Sequence, residues 1–381
     1  MKRAYCANVN KSSNNNKQFR LSERWFCFLS LLMVGPLMLA GCRASPNKMT
    51  TSKSSIKTPL IVFEADSLIV PFAQMEKEFE SSNPDIDVQL EAHGSIQVIR
   101  QVTELGKSGD IVAVADSSLI PMLMYQTMMP DGKPFGNWYI APATNDLVIA
   151  FSPKSAYADQ INAENWYKIL SQPDVKVGFS DPRMDAVGYR TLMLTKLAEA
   201  YYGQQDIMSN TVGKYFSTPI TSQESNGIVT ITVPELLDPV GNHMYFRGAN
   251  TQLMALLETG DIDYTFEYKS VVQQHNLKYV ELPDQINLSS YQFAANYGTV
   301  TVAEDFRRFG SVAPVFNGIP IEYGISIPAN AEHYDAAVRF IQFLLGPDGQ
   351  RIFQGDYQPL LTPPKCDNID ALPESLKSYF Q

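Results

Sequence analysis

Cysteine and histidine are scarce in this chain: its 381 residues hold four of each. Cys6 and Cys27 lie in an N-terminal leader and Cys42 at its edge, which leaves Cys366 alone. A disulfide framework is therefore excluded, and a stable core must come from packing. The histidines His93, His243, His275 and His333 show no i, i+4 or CxxC-like spacing, which argues against a resident metal ion. Basic charge is also short, with 30 Lys and Arg against 40 Asp and Glu, a net of −10. That balance excludes nucleic acid as a partner and rules out loose, field-driven collection of anions. Any anion would have to be held by a small, specific set of donors. There is no repeat of 20–50 residues and no G-x-S-x-G nucleophile elbow.

The N-terminus carries the apolar stretch "WFCFLSLLMVGPLML", followed by "LAGC" ending at Cys42. The stretch falls short of the ~20 residues a spanning helix needs, and Pro36 interrupts it. Six basic residues (Lys2, Arg3, Lys11, Lys17, Arg20, Arg24) and one acid (Glu23) precede Cys42, a net of +5, so removal of the leader changes −10 to −15. This is an export signal by its layout. Small residues before a cysteine resemble the bacterial lipoprotein box. The resemblance implies that residues 1–41 are cleaved and that Cys42 is acylated and holds the protein at the outer face of the membrane. Residues 42–58 are polar and poor in core residues, as in a flexible tether.

Beyond residue 58 strand and helix signals alternate. "PLIVFEA", "IDVQLEAH" and "DIVAVAD" have strand character. Phe72, Met75 and Phe79, then Ile96, Ile99, Val102 and Leu105, recur at helical spacing. A second set of units starts near "TNDLVIAFSPKS" and includes "VKVGFSD", "TLMLTKLAEAYYG", "TQLMALLETG" and "DIDYTFEY". "GIPIEYGISIP" reads as a strand and "HYDAAVRFIQFLLGPDGQRIF" as helix. The pattern predicts an α/β protein of two lobes, each a mostly parallel sheet flanked by helices, with a ligand in the cleft between them. "EADSLIVPF" and "EAHGSIQVI" place Ser67 and Ser95 at equivalent strand-to-helix junctions, and Asp116 follows the third strand. A serine there serves either as an N-cap or as a donor to an anion at a helix start, and both readings stay open.

The stretches "EADSLIVPF…DIDVQLEAHGSIQVIRQVTELG…DIVAVADSSLIPMLMY", "SDPRMDAVGYR", "LMALLETGDIDYTFEYKSVVQQHNL" and "YGISIPANA…FIQFLLGPDGQRIF" resemble, in order, the tungstate/molybdate-binding proteins of ABC importers, archaeal-type WtpA branch. The resemblance implies a type II periplasmic-binding-protein fold, with residues 59–143 and 318–381 in lobe 1 and 144–317 in lobe 2. It implies a monomer without cofactor that captures one oxyanion for a permease and ATPase complex. Carried over by position, it puts Ser67, Leu68 and Ser95 at the ligand in lobe 1. In lobe 2 it puts Asp185, Ala186, Val187, Asn250 and Tyr268 there. It also implies that two carboxylates approach the metal of the oxyanion. Asp185 matches the first, whereas Asn250 stands where the family has glutamate. Asn250 would offer its amide oxygen or donate a hydrogen bond to an oxo group. On strand pleat Tyr264, Phe266 and Tyr268 share one face, and Glu267 should point away.

Two other functions compete. A receptor for sulfate or phosphate would use a similar site. An exported hydrolase would use Ser67 or Ser95 as nucleophile, but no histidine or lysine is placed by motif to activate either.

Overall fold

A computed structural model describes residues 57–304 and 314–380. The leader, Cys42 and most of the tether lie outside the described residues.

The chain opens with strand β1 (Thr58–Ala65), the helix Ile69–Ser82, strand β2 (Ile86–His93), the helix Ser95–Thr103 and strand β3 (Ile111–Val114). The two helices form as their spacing predicts. Phe72, Met75 and Phe79 of the first, and Ile96, Ile99 and Val102 of the second, are all buried, whereas Leu105 lies past the helix end and is exposed. β1 pairs in parallel with both β2 and β3.

β4 (Ile140–Ala143) then crosses to β5 (Leu147–Phe151). The second half of the chain supplies β6 (Val177–Ser180), the long helix Ala186–Tyr202, β7 (Thr221–Ser225), β8 (Ile228–Val233) and β9 (Met244–Arg247). The helix Asn250–Thr259 leads to β10 (Tyr264–Tyr268), followed by β11 (Lys278–Val280), β12 (Val300–Glu304) and β13 (Val315–Asn317). β14 (Gly324–Ser326), the helices Tyr334–Leu345 and Pro347–Gly355, and β15 (Leu360–Cys366) complete the fold.

Three sheets result, in the orders β15-β4-β14-β3-β1-β2, β11-β5-β10-β6-β9 and β13-β12-β8-β7. They are more mixed than the sequence pattern implies. β2-β1-β3 and β9-β6-β10 are parallel trios. In the third sheet β12 runs parallel to β8, while in the first two the strands outside the trios pair antiparallel, β14 with β3 and β4, and β5 with β10 and β11. The reason is the crossing: a strand that returns from the other half comes in from the opposite end of the sheet. The segments at the crossing run side by side, with an isolated bridge between Thr144 and Glu322. "GIPIEYGISIP" accordingly keeps only Gly324–Ser326 as a ladder strand.

Aromatic packing holds the helices on the first sheet. Phe340 lies 5.2 Å from Phe79 and 5.9 Å from Phe72, and Phe353 lies 6.4 Å from Phe72, centroid to centroid. Burial of each such ring stabilises by about 1.5–3 kcal/mol.

Candidate functional site

The two parallel trios aim their carboxyl ends at one small gap. Asp66 and Ser67 follow β1, Gly94 and Ser95 follow β2, and Ala115 follows β3. From the other sheet come Asp185 after β6, Asn250 after β9 and Tyr268 at the end of β10. These residues and Ala65 enclose about 160 Å³, counting every space between their atoms. The halves touch beside it, where the Ile96 N–H donates to the Met184 carbonyl at 3.2 Å. Gly94 permits this approach, because a Cβ there would lie 2.5 Å from that same oxygen. A wider surface cleft of about 680 Å³ lies between Asp146, Lys269 and Gln358. Its lysine is already paired with Asp146 and Glu281.

Neither junction serine is a cap. Gly94 stands at the N-cap of the helix Ser95–Thr103, and Leu68 at that of the helix Ile69–Ser82. Each hydroxyl instead accepts a hydrogen bond from behind. Ala115 N–H donates to Ser95 Oγ at 3.0 Å. Asn145 donates to the Tyr323 hydroxyl at 3.1 Å, which donates to Ser67 Oγ at 3.0 Å. The Arg190 guanidinium donates to the Tyr268 hydroxyl. Each of the three hydroxyls accepts from the protein and lines the gap, so its own proton is available to a ligand there. Three neutral donors converging from two sheets are what an oxyanion requires.

Asp185 is the residue that caps. Its Oδ1 accepts the Val187 N–H at 2.9 Å, starting the helix Ala186–Tyr202, and its Oδ2 accepts the Asn250 N–H at 2.7 Å, at the start of the helix Asn250–Thr259. Burial pushes this carboxyl up to about 6, against the pull of those two amides and of Arg190. Val187 thus has its N–H committed to the cap. Leu68, Ala186 and Val187 are buried at helix starts but do not line the gap, because the wall there is made by Ser67 and Asp185.

Asn250 and Glu267 are hydrogen-bonded to each other. The Asn250 amide donates to Glu267 Oε1 at 2.7 Å, and its Oδ1 accepts the Thr251 N–H at 3.0 Å. One amide N–H remains for a ligand, and the amide oxygen is occupied. Glu267 does not line the gap, in keeping with the pleat, yet it is not remote. It is fully buried directly behind Asn250, it also accepts the Tyr268 N–H, and burial pushes it up to about 8.

Asp116 does not line the gap either. It accepts from the Tyr189 hydroxyl at 2.6 Å and lies 3.3 Å from Arg190 Nη2, off the hydrogen-bond line. Arg190 also donates to the Ala115 carbonyl at 2.6 Å. This buried ion pair joins the helix Ala186–Tyr202 to the end of β3. Sequence reasoning missed Asp66, whose Oδ2 is buried with no hydrogen-bond partner. It also missed Arg190, although a lone charge inside "AVGYRTLMLT" was a signal. Among the described residues no three His, Cys, Asp or Glu groups gather closely enough to hold a metal ion.

A gap between two sheets, walled by strand ends and helix starts of both, defines a two-lobed solute-binding protein of the periplasmic-binding type. The chain belongs to the bacterial extracellular solute-binding protein family, whose profile matches residues 60–356. It is 38% identical over 364 residues to the molybdate/tungstate-binding protein WtpA of Thermococcus kodakarensis, covering 93% of this chain and 97% of that protein. To WtpA of Pyrococcus abyssi it is 39% identical over 351 residues, covering 90% and 95%. Among solved structures it is similar to the periplasmic molybdate-binding protein of Azotobacter vinelandii, with a TM-score of 0.50, 14% identity, and coverage of 79% of this chain and 99% of that one. At that identity the likeness concerns the fold. Among the described residues no helix is long and apolar enough to cross a membrane.

Proposed function

We propose that this chain is an extracytoplasmic lipoprotein that captures tungstate or molybdate between its lobes and delivers it to an ABC importer, with no chemistry of its own. One observation carries the reading: Ser67, Ser95 and Tyr268 each accept a hydrogen bond from the protein and line one gap, which leaves each hydroxyl proton available to an anion there. The names of the relatives support the choice of anion. Asn250 adds one N–H to the set. We assign residues 59–143 and 318–381 to one lobe and 144–317 to the other. The strand orders support this, since the six-stranded sheet draws only on the first set and the other two sheets only on the second. Cys42 is the proposed lipid attachment, supported by "LAGC" at residues 39–42. A hydrolase is disfavoured because the groups bonded to Ser67 and Ser95 are a tyrosine hydroxyl and a backbone amide, and neither is a base.

Calorimetric titration of ligand-stripped protein with tungstate, molybdate, sulfate and phosphate tests the reading. Tight binding of the first two and weak binding of the others is expected. Preference for sulfate or phosphate would overturn the assignment of cargo.

A further inference from the structure

Asp66 is the one polar side chain on the wall that no expectation covered. It sits beside Ser67 at the end of β1, and Asp185 lines the same gap from the other sheet. The two carboxyls differ in support. Both oxygens of Asp185 accept backbone N–H groups, which favour its charged form against the effect of burial. Asp66 Oδ2 is buried and accepts nothing.

A dianion in this gap would face one supported carboxylate and one unsupported one. The nearest buried cation, Arg190, already lies against Asp116. A second bare carboxylate would repel the cargo in a low-dielectric site with nothing to offset it. The cheapest resolution is a proton on Asp66, since a protonated carboxyl is a hydroxyl donor. Building on the proposed cargo, we propose that Asp66 enters the loaded site as a neutral carboxylic acid that donates to an oxo group, so that capture of the dianion brings a proton with it.

The surroundings support this. Burial, then Asp185, push the Asp66 carboxyl up to about 7. The other titratable groups acting on its neighbourhood are Glu64 and Glu267, both buried and both raised by burial first. An arriving dianion raises Asp66 further.

The test titrates ligand-stripped full-length protein at pH 8 with tungstate, molybdate and, in parallel, sulfate. Buffers of differing ionisation enthalpy are used, so that the difference in heat counts protons. Wild type is expected to take up about one proton per anion, with affinity falling by up to about tenfold per pH unit above neutrality. Asp66→Asn, which keeps an N–H donor, is expected to lose the uptake and to bind with an affinity that no longer changes with pH across this range. Asp66→Ala is expected to lose about tenfold or more in affinity. Uptake that survives in Glu267→Gln and is lost in Asp66→Asn belongs to Asp66.

Absence of uptake in wild type overturns the proposal. So does loss of uptake in Glu267→Gln in place of Asp66→Asn. Equal weakening by Asn and Ala also overturns it, because that pattern marks a carboxylate bonded to the metal centre. If only sulfate binds, the assignment of cargo fails, and Asp66 is judged on the protons taken up with sulfate. If no oxyanion binds, both fall.

Discussion

A hydroxyl that both accepts from the protein and donates to a ligand costs twice when it is removed. Ser95→Ala would leave the Ala115 N–H buried without a partner, and Ser67→Ala would do the same to the Tyr323 hydroxyl. Each should lose about 1–3 kcal/mol of stability for the orphaned donor. Each should also lose about 1.5–3 kcal/mol of tungstate affinity for a hydrogen bond to a charged group. Unfolding in urea and calorimetric titration read the two separately. An affinity equal to wild type would show that the hydroxyl does not face the ligand. At this scale Ser67 and Ser95 were legible in the sequence as strand-end serines, whereas Asp185, Asn250 and Tyr268, which wall the same gap, came only through the family resemblance. Their supports were not legible. Tyr323 lies 256 residues from Ser67, and Arg190 is 78 residues from Tyr268. Only the approach of distant elements makes those pairs. Asp66 gave no signal of its own in the sequence, because its burial on the wall of the gap depends on the approach of the second sheet.

Two helix starts depend on one carboxylate. Asp185→Ala removes the cap of the helix Ala186–Tyr202 and the acceptor for the Asn250 N–H together. A cap is worth about 1 kcal/mol, and a buried orphan amide costs about 1–3 more. The variant should therefore lose about 2 kcal/mol or more in urea unfolding, and Asp185→Asn, which keeps an acceptor oxygen, clearly less. A loss below about 0.5 kcal/mol, the size of an ordinary surface substitution, would show that the cap is not holding both starts. Gly94→Ala tests the contact between the halves. Gly94 has φ −58, which any residue adopts, so the effect comes only from the Cβ against Met184. Tungstate affinity should fall by about tenfold or more with the far-UV circular dichroism unchanged, and unchanged affinity would count against this contact. Element types were legible wherever apolar spacing is regular. Pairing direction was not, because it depends on which end of the sheet a returning strand meets. The hairpin of β7 and β8 was missed although Asn226-Gly227 separates them, at φ 54 and 77. Both values lie in the left-handed region that a type I′ turn requires. The first arm, "TSQES", is wholly polar and gives no strand signal of its own.

At the scale of the molecule, acidity governs what can be measured. If Cys42 anchors a body of charge −15 (the −10 of the chain less the leader's +5), Cys42→Ser should release it from membranes without changing tungstate affinity. Retention in the detergent phase would count against the anchor. The folded body itself should respond to pH through its buried carboxyls. Asp66 is pushed up to about 7, Asp185 to about 6 and Glu267 to about 8, in each case chiefly by burial, and Glu64 is raised for the same reason. Unfolded carboxyls titrate near 4. A folded pKa above the unfolded one means that the folded state binds protons more tightly over that interval. Its contribution to stability is fully present below about pH 4 and is lost as pH rises through the folded values. The melting temperature of ligand-free protein should therefore fall between about pH 5 and pH 8 and level off above it. Paired surface acids such as Glu78 and Asp85 work the other way, but they are screened and act mainly below pH 5. Glu267→Gln should flatten the upper part of the fall, because the amide can hold a neutral partner to Asn250 at every pH. Scanning calorimetry of both proteins from pH 5 to 9 decides the matter. A wild-type melting temperature that rises across this range would mean that these carboxyls do not carry the raised values that their burial implies.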